Sequence, residues 1–373
     1  WSGHDVTVPA QMPSEPRIPG LERSRPLRLA FECLQTLPEG SNPVRVWWDE
    51  NLQCEQVGKR VDLSNLDDVL PEPAILRQIR HDHVVPILAA PVVDGFPKPM
   101  RVIEIVTPYY ERGSLTDAFL RGERFVPTEA VRIVQAALRG LGHLHEVHGI
   151  LHRDIKSPNI LLTGDEFLAR VGDLGCAGRI GEDGRTPALD IPTLYSPPEL
   201  VGTGVLTRAS DLYPMGLVLL ELLKGGFDYD AYPKTHVVRR LLRGVSPLSM
   251  AERSHPIWAS RSLRRALTKS VHSVPGQRFQ TASEMDNALS RARVIDWAET
   301  DSLRWEAPFR HHRDRRVRVE AVRLRKGGFR LSTQMNRGNG WRRYGLDDLD
   351  VDVLDSSRAR SLFDQATDSA IVR

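Results

Sequence analysis

Residues 151–162 read Leu151-His152-Arg153-Asp154-Ile155-Lys156-Ser157-Pro158-Asn159-Ile160-Leu161-Leu162, and the reading of the whole chain turns on them. A carboxylate (Asp154), a lysine two residues on (Lys156) and an amide five residues on (Asn159) share one short loop between apolar runs. Phosphoryl transfer needs such groups close together: an acceptor to orient a hydroxyl, a cation for the moving phosphate and an oxygen ligand for a hard metal ion. A second acidic motif, Asp173-Leu174-Gly175, follows downstream. Chance easily produces His-Arg-Asp, but rarely the whole string with that sequel.

The 373 residues suffice for one large domain or two ordinary ones. A composition of 40% hydrophobic and 6% aromatic residues suits a soluble globular protein. The longest nearly apolar run, residues 212–223, carries Glu221 and falls short of a bilayer span, so no membrane partner is expected. The first thirty residues are rich in proline and charge and contain no signal-peptide core. Cys33, Cys54 and Cys176 lack CxxC spacing, which argues against a disulfide framework or zinc site and for a reducing cytoplasm.

Residues 1–26 read as a Pro-rich, extended or disordered leader. Residues 27–34, 44–48 and 54–61 are β-rich runs separated by turn formers, and 84–93 and 101–106 read as further strands. A short helix is expected over 76–80. Helical periodicity then dominates at 114–120, 127–148, 212–224, 237–242, 262–270 and 282–297. Strands first and helices afterwards predict an α+β chain with a small β-rich lobe and a larger helical one.

Beyond these, residues 299–345 carry 13 Arg/Lys against 5 Asp/Glu and alternate around Gly327-Gly328, predicting a basic extension that contains a β-hairpin. Residues 346–373 reverse the balance, with 7 Asp/Glu against 3 Arg, and predict an acidic tail with a short helix capped by Ser356 or Ser357. The Arg-rich stretch 304–343 admits three readings: a solvated or internally paired face, a protein-docking surface, or a nucleic-acid contact.

In order and spacing, residues 27–298 resemble a bilobal protein kinase of the eukaryotic-type (Hanks-type) Ser/Thr family, and are read as a bacterial-type member. The resemblance implies ATP and Mg²⁺ as cofactors, with Mn²⁺ as an alternative ion. It makes Asp154 the catalytic aspartate and Lys156 its Ser/Thr-type companion, with Asn159 and Asp173 as metal ligands. In the segment QVGKRV, Lys59 matches the lysine on the nucleotide phosphates. A one-residue shift would choose Arg60, whose branched guanidinium fits less well where a compact ammonium must also pair with a glutamate. That glutamate matches Glu72, nine residues before His81. Val44 closes the phosphate-covering loop, of whose usual glycines only Gly40 survives. Thr107 matches the gatekeeper, and Pro108 and Tyr110 match the hinge positions that meet adenine through a carbonyl and an amide.

Supporting motifs extend the likeness. Glu199 in Pro197-Pro198-Glu199 and Arg278 match a buried ion pair, and Asp211 matches the carboxylate that braces the catalytic loop. Thr186 and Thr193 are candidate autophosphorylation sites, with Arg153 as the partner for such a phosphate. The usual Gly-Thr of the substrate-docking loop is replaced by Ile191-Pro192-Thr193. His143, His145, His148 and His152 belong to a helix end and the loop more readily than to a metal site. His312-Arg313-Asp314 lacks the following lysine and asparagine and is a decoy. Cys176 is a reactive thiol if a nearby lysine depresses its pKa, and a small core residue otherwise. The rival functions are a pseudokinase that binds nucleotide without turnover and a kinase-fold enzyme acting on RNA or a small molecule. Product formation with Mg·ATP separates the first, and RNA binding that depends on 304–343 the second.

Overall fold

The computed structural model describes residues 32–37, 44–62 and 77–372, apart from positions 98, 101, 166 and 190. The leader, the loop 38–43 with Gly40, and Glu72 lie outside the described residues, as does residue 76 at the start of the expected short helix. The β-rich runs form a four-stranded antiparallel sheet in sequence order: β1 (Glu32–Leu37), β2 (Val44–Asp49), β3 (Cys54–Asp62) and β4 (Val102–Pro108). Asp49 closes the β2–β3 turn, its Oδ1 accepting the amides of Asn51 and Leu52 at 3.0 Å each.

The strand expected over 84–93 is not continuous. Val84, Ala89 and Val92 make only isolated bridges, because Pro86 and Pro91 interrupt the donors that a ladder needs. Of the expected short helix, Arg77 and Gln78 are helical among the described residues.

Helices take over next. α1 (Leu115–Leu120) starts at a reciprocal cap in which the Asp117 amide donates to Ser114 Oγ (3.2 Å) and the Ser114 amide to Asp117 Oδ2 (2.7 Å). α2 (Pro127–Glu146) begins with proline in its first turn, where no intrahelical donor is lost, and buries a stripe from Ala130 to Leu144. Short strands β5 (Ile150–Leu151), β6 (Ile160–Leu162), β7 (Ala169–Val171) and β8 (Gly178–Arg179) pair as β5–β8 and β6–β7, framing the two acidic motifs. β9 (Thr186–Pro187) pairs with β10 (Val205–Leu206) on either side of α3 (Glu199–Gly202). α4 (Arg208–Lys224) is buried almost all round, which its continuous apolar run requires. α5 (Lys234–Leu242), α6 (Met250–Arg253), α7 (Arg261–Ser270) and α8 (Ala282–Ser290) complete this layer. α8 stops at Ser290 rather than running to 297, and the chain continues without regular helix or strand to deliver Ile295 and Trp297 to a second core.

That second core lies under a C-terminal sheet of β11 (Ala298–Asp301), β12 (Arg304–Pro308), β13 (Arg316–Arg323), β14 (Phe329–Asn336) and β15 (Trp341–Arg343), with β16 (Leu349–Val351) also paired to β14. α9 (Ser357–Val372) has 16 residues and is capped by Ser356, whose Oγ accepts the Ala359 amide at 3.2 Å. Its buried Leu362, Phe363 and Ala366 pack on the sheet's Trp305, Val317 and Leu331. The basic and acidic stretches therefore share one core, and a boundary at 345/346 drawn on charge has no structural counterpart. Their charges meet directly: Arg330 pairs with Asp350 (2.7 Å) and Arg343 with Asp348 (3.2 Å), while Arg304–Glu320 and Arg318–Glu306 close at 2.6 Å within the sheet. Among the described residues five of the thirteen basic side chains of 304–343 are paired in this way, and nucleic-acid contact through the stretch finds no support.

α9 also clamps onto the helical layer. Asp364 Oδ1 accepts the Arg261 amide at the start of α7 (2.7 Å), and its Oδ2 accepts from Arg264 (2.9 Å). Trp258 packs against both cores. His312-Arg313-Asp314 lies in the exposed turn between β12 and β13. Among the described residues no helix is long and apolar enough to cross a membrane.

Candidate active site

Strand register places Val44, Lys59 and Ile105 side by side on β2, β3 and β4, on one face of the sheet, and Thr107 lies on that face opposite Val57. Lys59 projects from it to within 2.6 Å of Asp173 Oδ2. Arg60 points to the other face and reaches Glu104 Oε2 at 3.4 Å, so the two basic neighbours are separated by the pleat. Glu72 lies outside the described residues, and Asp173 is the described carboxylate that meets Lys59. Pro108 ends β4 opposite Gln56, and Tyr110, just beyond, has the Arg170 guanidinium 5.8 Å from its ring centre. Burial, chiefly, raises the Tyr110 pKa.

The loop 152–159 is held from below. Asp211, near the start of α4, accepts the amides of His152 (2.8 Å) and Arg153 (2.9 Å) and a hydrogen bond with His145 Nε2 (2.8 Å). Burial alone would raise the Asp211 pKa, but His145, His152 and these donors hold it below its usual value. Arg153 sits at φ 65°, a left-handed conformation that residues other than glycine rarely adopt, so the hydrogen bonds from the His152 and Arg153 amides to Asp211 hold a strained backbone immediately before Asp154.

Asp154 Oδ2 accepts from Lys156 Nζ (2.8 Å) and from Asn159 Nδ2 (3.1 Å), and its carbonyl also accepts from Asn159 Nδ2 (2.7 Å). Asn159 thus spends its amide nitrogen on Asp154, which leaves its amide oxygen for another partner. Burial lowers the Lys156 pKa, yet the charge and hydrogen bond of Asp154, aided by Asp173, raise it overall. Lys156 therefore feels both carboxylates. Asp173 is a second strained residue, at φ 54° and ψ 71°, with its side chain accepting the Gly175 amide. Burial pushes its pKa up, and Lys59, with smaller help from His152 and Lys156, brings it below the usual value. β6–β7 pairing and the bond from the Gly172 amide to the Asn159 carbonyl (2.8 Å) tie the two acidic motifs together.

The supporting pair forms a fork: Arg278 Nη1 and Nη2 donate to Glu199 Oε1 and Oε2 at 2.6 and 2.8 Å, with Arg278 only 1% exposed. Other expectations need correction. Arg153 spends its guanidinium on the carbonyls of Cys176 (2.6 Å), Ala177 (2.8 Å) and Pro187 (2.8 Å), which already draw the segment after Asp173 against the loop. Thr186 is 2% exposed and donates to the Arg179 carbonyl, so it is poorly placed to receive a phosphate. The Thr193 hydroxyl is half-buried and turned to Ser196 and the Tyr195 amide. Cys176 is not activated: burial, reinforced by Asp154 and Asp173, raises its pKa to about 11. Of the histidines, His145 and His152 serve the loop, and no group of three or more His, Cys, Asp or Glu among the described residues could hold a metal ion.

Sequence reasoning passed over Ser157, Tyr195 and Glu221, which form a buried hydroxyl–carboxylate cluster beneath the loop. The available signal was the single carboxylate inside an otherwise apolar run.

Residues 51–288, well over half of the chain, match the family model for the protein kinase domain. The chain is 31% identical over 258 residues to the EPD1-interacting receptor-like cytoplasmic serine/threonine-protein kinase 5A of Gossypium barbadense, covering 61% of this chain and 54% of that one. It is 37% identical over 149 residues to the probable serine/threonine-protein kinase PBL4 of Arabidopsis thaliana (38% and 35%), and 32% over 174 residues to a probable serine/threonine-protein kinase of Dictyostelium discoideum (46% and 33%). The chain thus spans about a third to a half of the length of these relatives. They are eukaryotic, so the bacterial-type ascription is not borne out. With this match laid over a β-rich lobe, a helical lobe and paired acidic motifs between them, the chain belongs to the protein kinase family.

Proposed function

We propose that residues 27–298 form a kinase domain that transfers the γ-phosphoryl group of ATP to serine or threonine hydroxyls of protein substrates, and that residues 299–373 form one module attached to it. The observation that carries this reading is the approach of Lys59 to Asp173 on the side where Lys156 and Asn159 gather around Asp154. Family membership implies ATP and a divalent metal ion. The donor set fits a hard ion: the Asn159 amide oxygen and the Asp173 carboxylate are oxygen ligands of the kind Mg²⁺ prefers, and Mn²⁺ can share. When bound, Mg·ATP supplies the phosphoryl group and the charge neutralisation.

The chain's own residues do the rest. Asp154 accepts a hydrogen bond from the substrate hydroxyl and orients it, and Lys156 offsets negative charge beside it. Lys59 holds nucleotide phosphates, with Glu72 as its steadying partner. Val44 and Thr107 line the nucleotide side, and Pro108 and Tyr110 meet the base. Cys54 and Cys176 are free thiols, which suits a reducing, cytoplasmic setting.

The test is phosphate transfer to serine/threonine peptides. Asp154→Ala is expected to reduce it by about 10²-fold or more while nucleotide binding persists, and Lys59→Met to weaken both. Circular dichroism checks that the variants fold. Wild-type transfer rates in both folded variants would show that these residues are not the active site.

A further inference from the structure

A set of contacts outside the loop 152–159 joins the turn 81–84 to the end of α2 through histidine rings. The Val84 amide closes this turn on the His81 carbonyl (3.0 Å), and the His83 amide donates to His81 Nδ1 (3.1 Å). The turn is also sewn to β7: the Val171 amide donates to the His83 carbonyl and the Val85 amide to the Val171 carbonyl, both at 2.9 Å. It rests directly on α2 as well, since a Cβ at Gly140 would overlap the His83 carbonyl oxygen. The half-buried His81 ring stacks on His143, with centres 4.7 Å apart and planes inclined by 26°. His143 in turn meets His148, two residues past α2, with their Nε2 atoms 3.2 Å apart.

Two of these contacts require a bare ring nitrogen. A neutral imidazole carries one N–H and one lone pair. His81 Nδ1 must present its lone pair to the His83 amide, and of the two facing Nε2 atoms one must donate and the other accept. A second proton on His81 sets a donor against the His83 N–H. A second proton on the facing pair sets N–H against N–H and puts charge on His143, against which His81 stacks. His83 differs, because its Nδ1 lies 3.2 Å from the Ala169 carbonyl, a contact that protonation preserves. Burial, above all, holds His81, His83 and His143 below the usual histidine value. His143, His83 and Arg170 add to this at His81, Arg139 and Arg170 at His83, and His148 at His143, while Asp82 opposes it at His81 and His83.

We propose that His81, His143 and His148 form a proton-sensitive latch, which fastens the 81–84 turn to α2 while the rings are neutral and releases it when they are charged. The sign follows from burial, which favours the neutral rings in the folded chain. The latch is complete above the ordinary histidine value near ~6.5 and is lost as pH falls below it through the lowered values of the folded chain. Release loosens the turn that holds Val171, two residues before Asp173, so phosphate transfer should fall with it. That consequence rests on the proposed function; the release itself does not.

The experiment compares the full wild-type chain with the double variant His81→Asn, His143→Phe. Asn keeps an acceptor for the amide two residues on, Phe keeps a ring for the stack, and neither takes a proton. Amide hydrogen exchange, corrected for its intrinsic pH dependence, is read at about pH 7.5 and about pH 5.5. On acidification, protection of 81–85 and 143–149 in wild type should fall about five- to tenfold relative to α9, and in the double variant by less than about twofold. His148→Gln alone, which removes the facing ring, should respond to an intermediate degree. Phosphate transfer should fall about threefold further in wild type than in the double variant over the same pH step, because the unchanged active site cancels in the ratio. No acid response in wild type, or an equal response in wild type and the variants, overturns the latch. If the double variant does not fold, wild type and His148→Gln decide by the same criterion. If wild type transfers no phosphate at either pH, the proposed function falls by itself, and the exchange comparison still decides the latch.

Discussion

Two arginine–carboxylate forks with nearly the same bond lengths sit in opposite surroundings. Arg278 grips Glu199 at 2.6 and 2.8 Å with its side chain fully buried. Arg330 grips Asp350 at 2.7 and 2.7 Å on the C-terminal sheet, with both side chains 52% exposed. The buried fork also carries Ser210 Oγ on Glu199 (2.8 Å), the His272 and Ser273 carbonyls on Arg278, and the Tyr213 ring 4.7 Å from the guanidinium. Bond length therefore does not distinguish the two pairs. What distinguishes them is the alternative open to each group when its partner is lost: water for Arg330, and for Glu199 only the neutral Ser210 hydroxyl, which leaves its charge uncompensated.

Breaking the forks should expose that difference most sharply. Arg278→Ala leaves a buried carboxylate uncompensated and is expected to lower unfolding free energy by ~3–5 kcal/mol in a denaturant titration. A shift as small as that of a surface pair would mean that the fork does not organise the helical lobe.

Asp211 is the next strongest case, since it joins buried electrostatics to strain. Asp211→Asn removes one acceptor and orphans an amide of His152 or Arg153, costing ~1–3 kcal/mol and lowering phosphate transfer more than nucleotide binding. Its pH dependence has a definite sign. The Asp211 pKa is lowered in the folded chain, so its stabilising effect is complete above the ordinary carboxylate value near ~3.9 and fades as pH falls through the lowered value. Wild type should lose stability on that acid limb, and Asp211→Asn should show a flatter one. Identical acid limbs would remove Asp211 from the account.

At the small end, Arg330→Ala should leave the unfolding midpoint within experimental scatter, and added salt should not separate it from wild type. A clear loss of stability there would show that the exposed pairs act as a network and would erase the contrast.

How much of this was legible in advance depends on distance along the chain. Asp154, Lys156 and Asn159 lie within six residues, and one 3₁₀ turn brings them together. The choice between Lys59 and Arg60 followed from side-chain shape, and the strand pleat separates the two in space. Pro86 and Pro91 carried a clear warning that 84–93 could not pair as an ordinary strand, but the apolar run masked it. The end of α8 was misjudged for a related reason: Ile295 and Trp297 continue an apolar pattern, yet they fill a core that belongs to another sheet. Arg153 had an obvious phosphate-binding reading, whereas its actual carbonyl partners lie 23 to 34 residues away, where only the folded backbone presents them. Charge blocks misled at the C-terminus, because opposite signs that look like separate segments are what neighbouring strands need in order to pair.

The amino-acid order by itself determined the strand-then-helix succession, the kinase likeness and the local acidic motifs, because periodicity and short loops act over a few residues. Tertiary structure alone decided the distant contacts that the likeness did not announce: Glu221 with the Ser157 and Tyr195 hydroxyls, Arg153 on the carbonyls of Cys176, Ala177 and Pro187, and α9 against α7. Those contacts are selected by the cost of leaving buried polar groups unpaired, and that cost exists only once packing has excluded water.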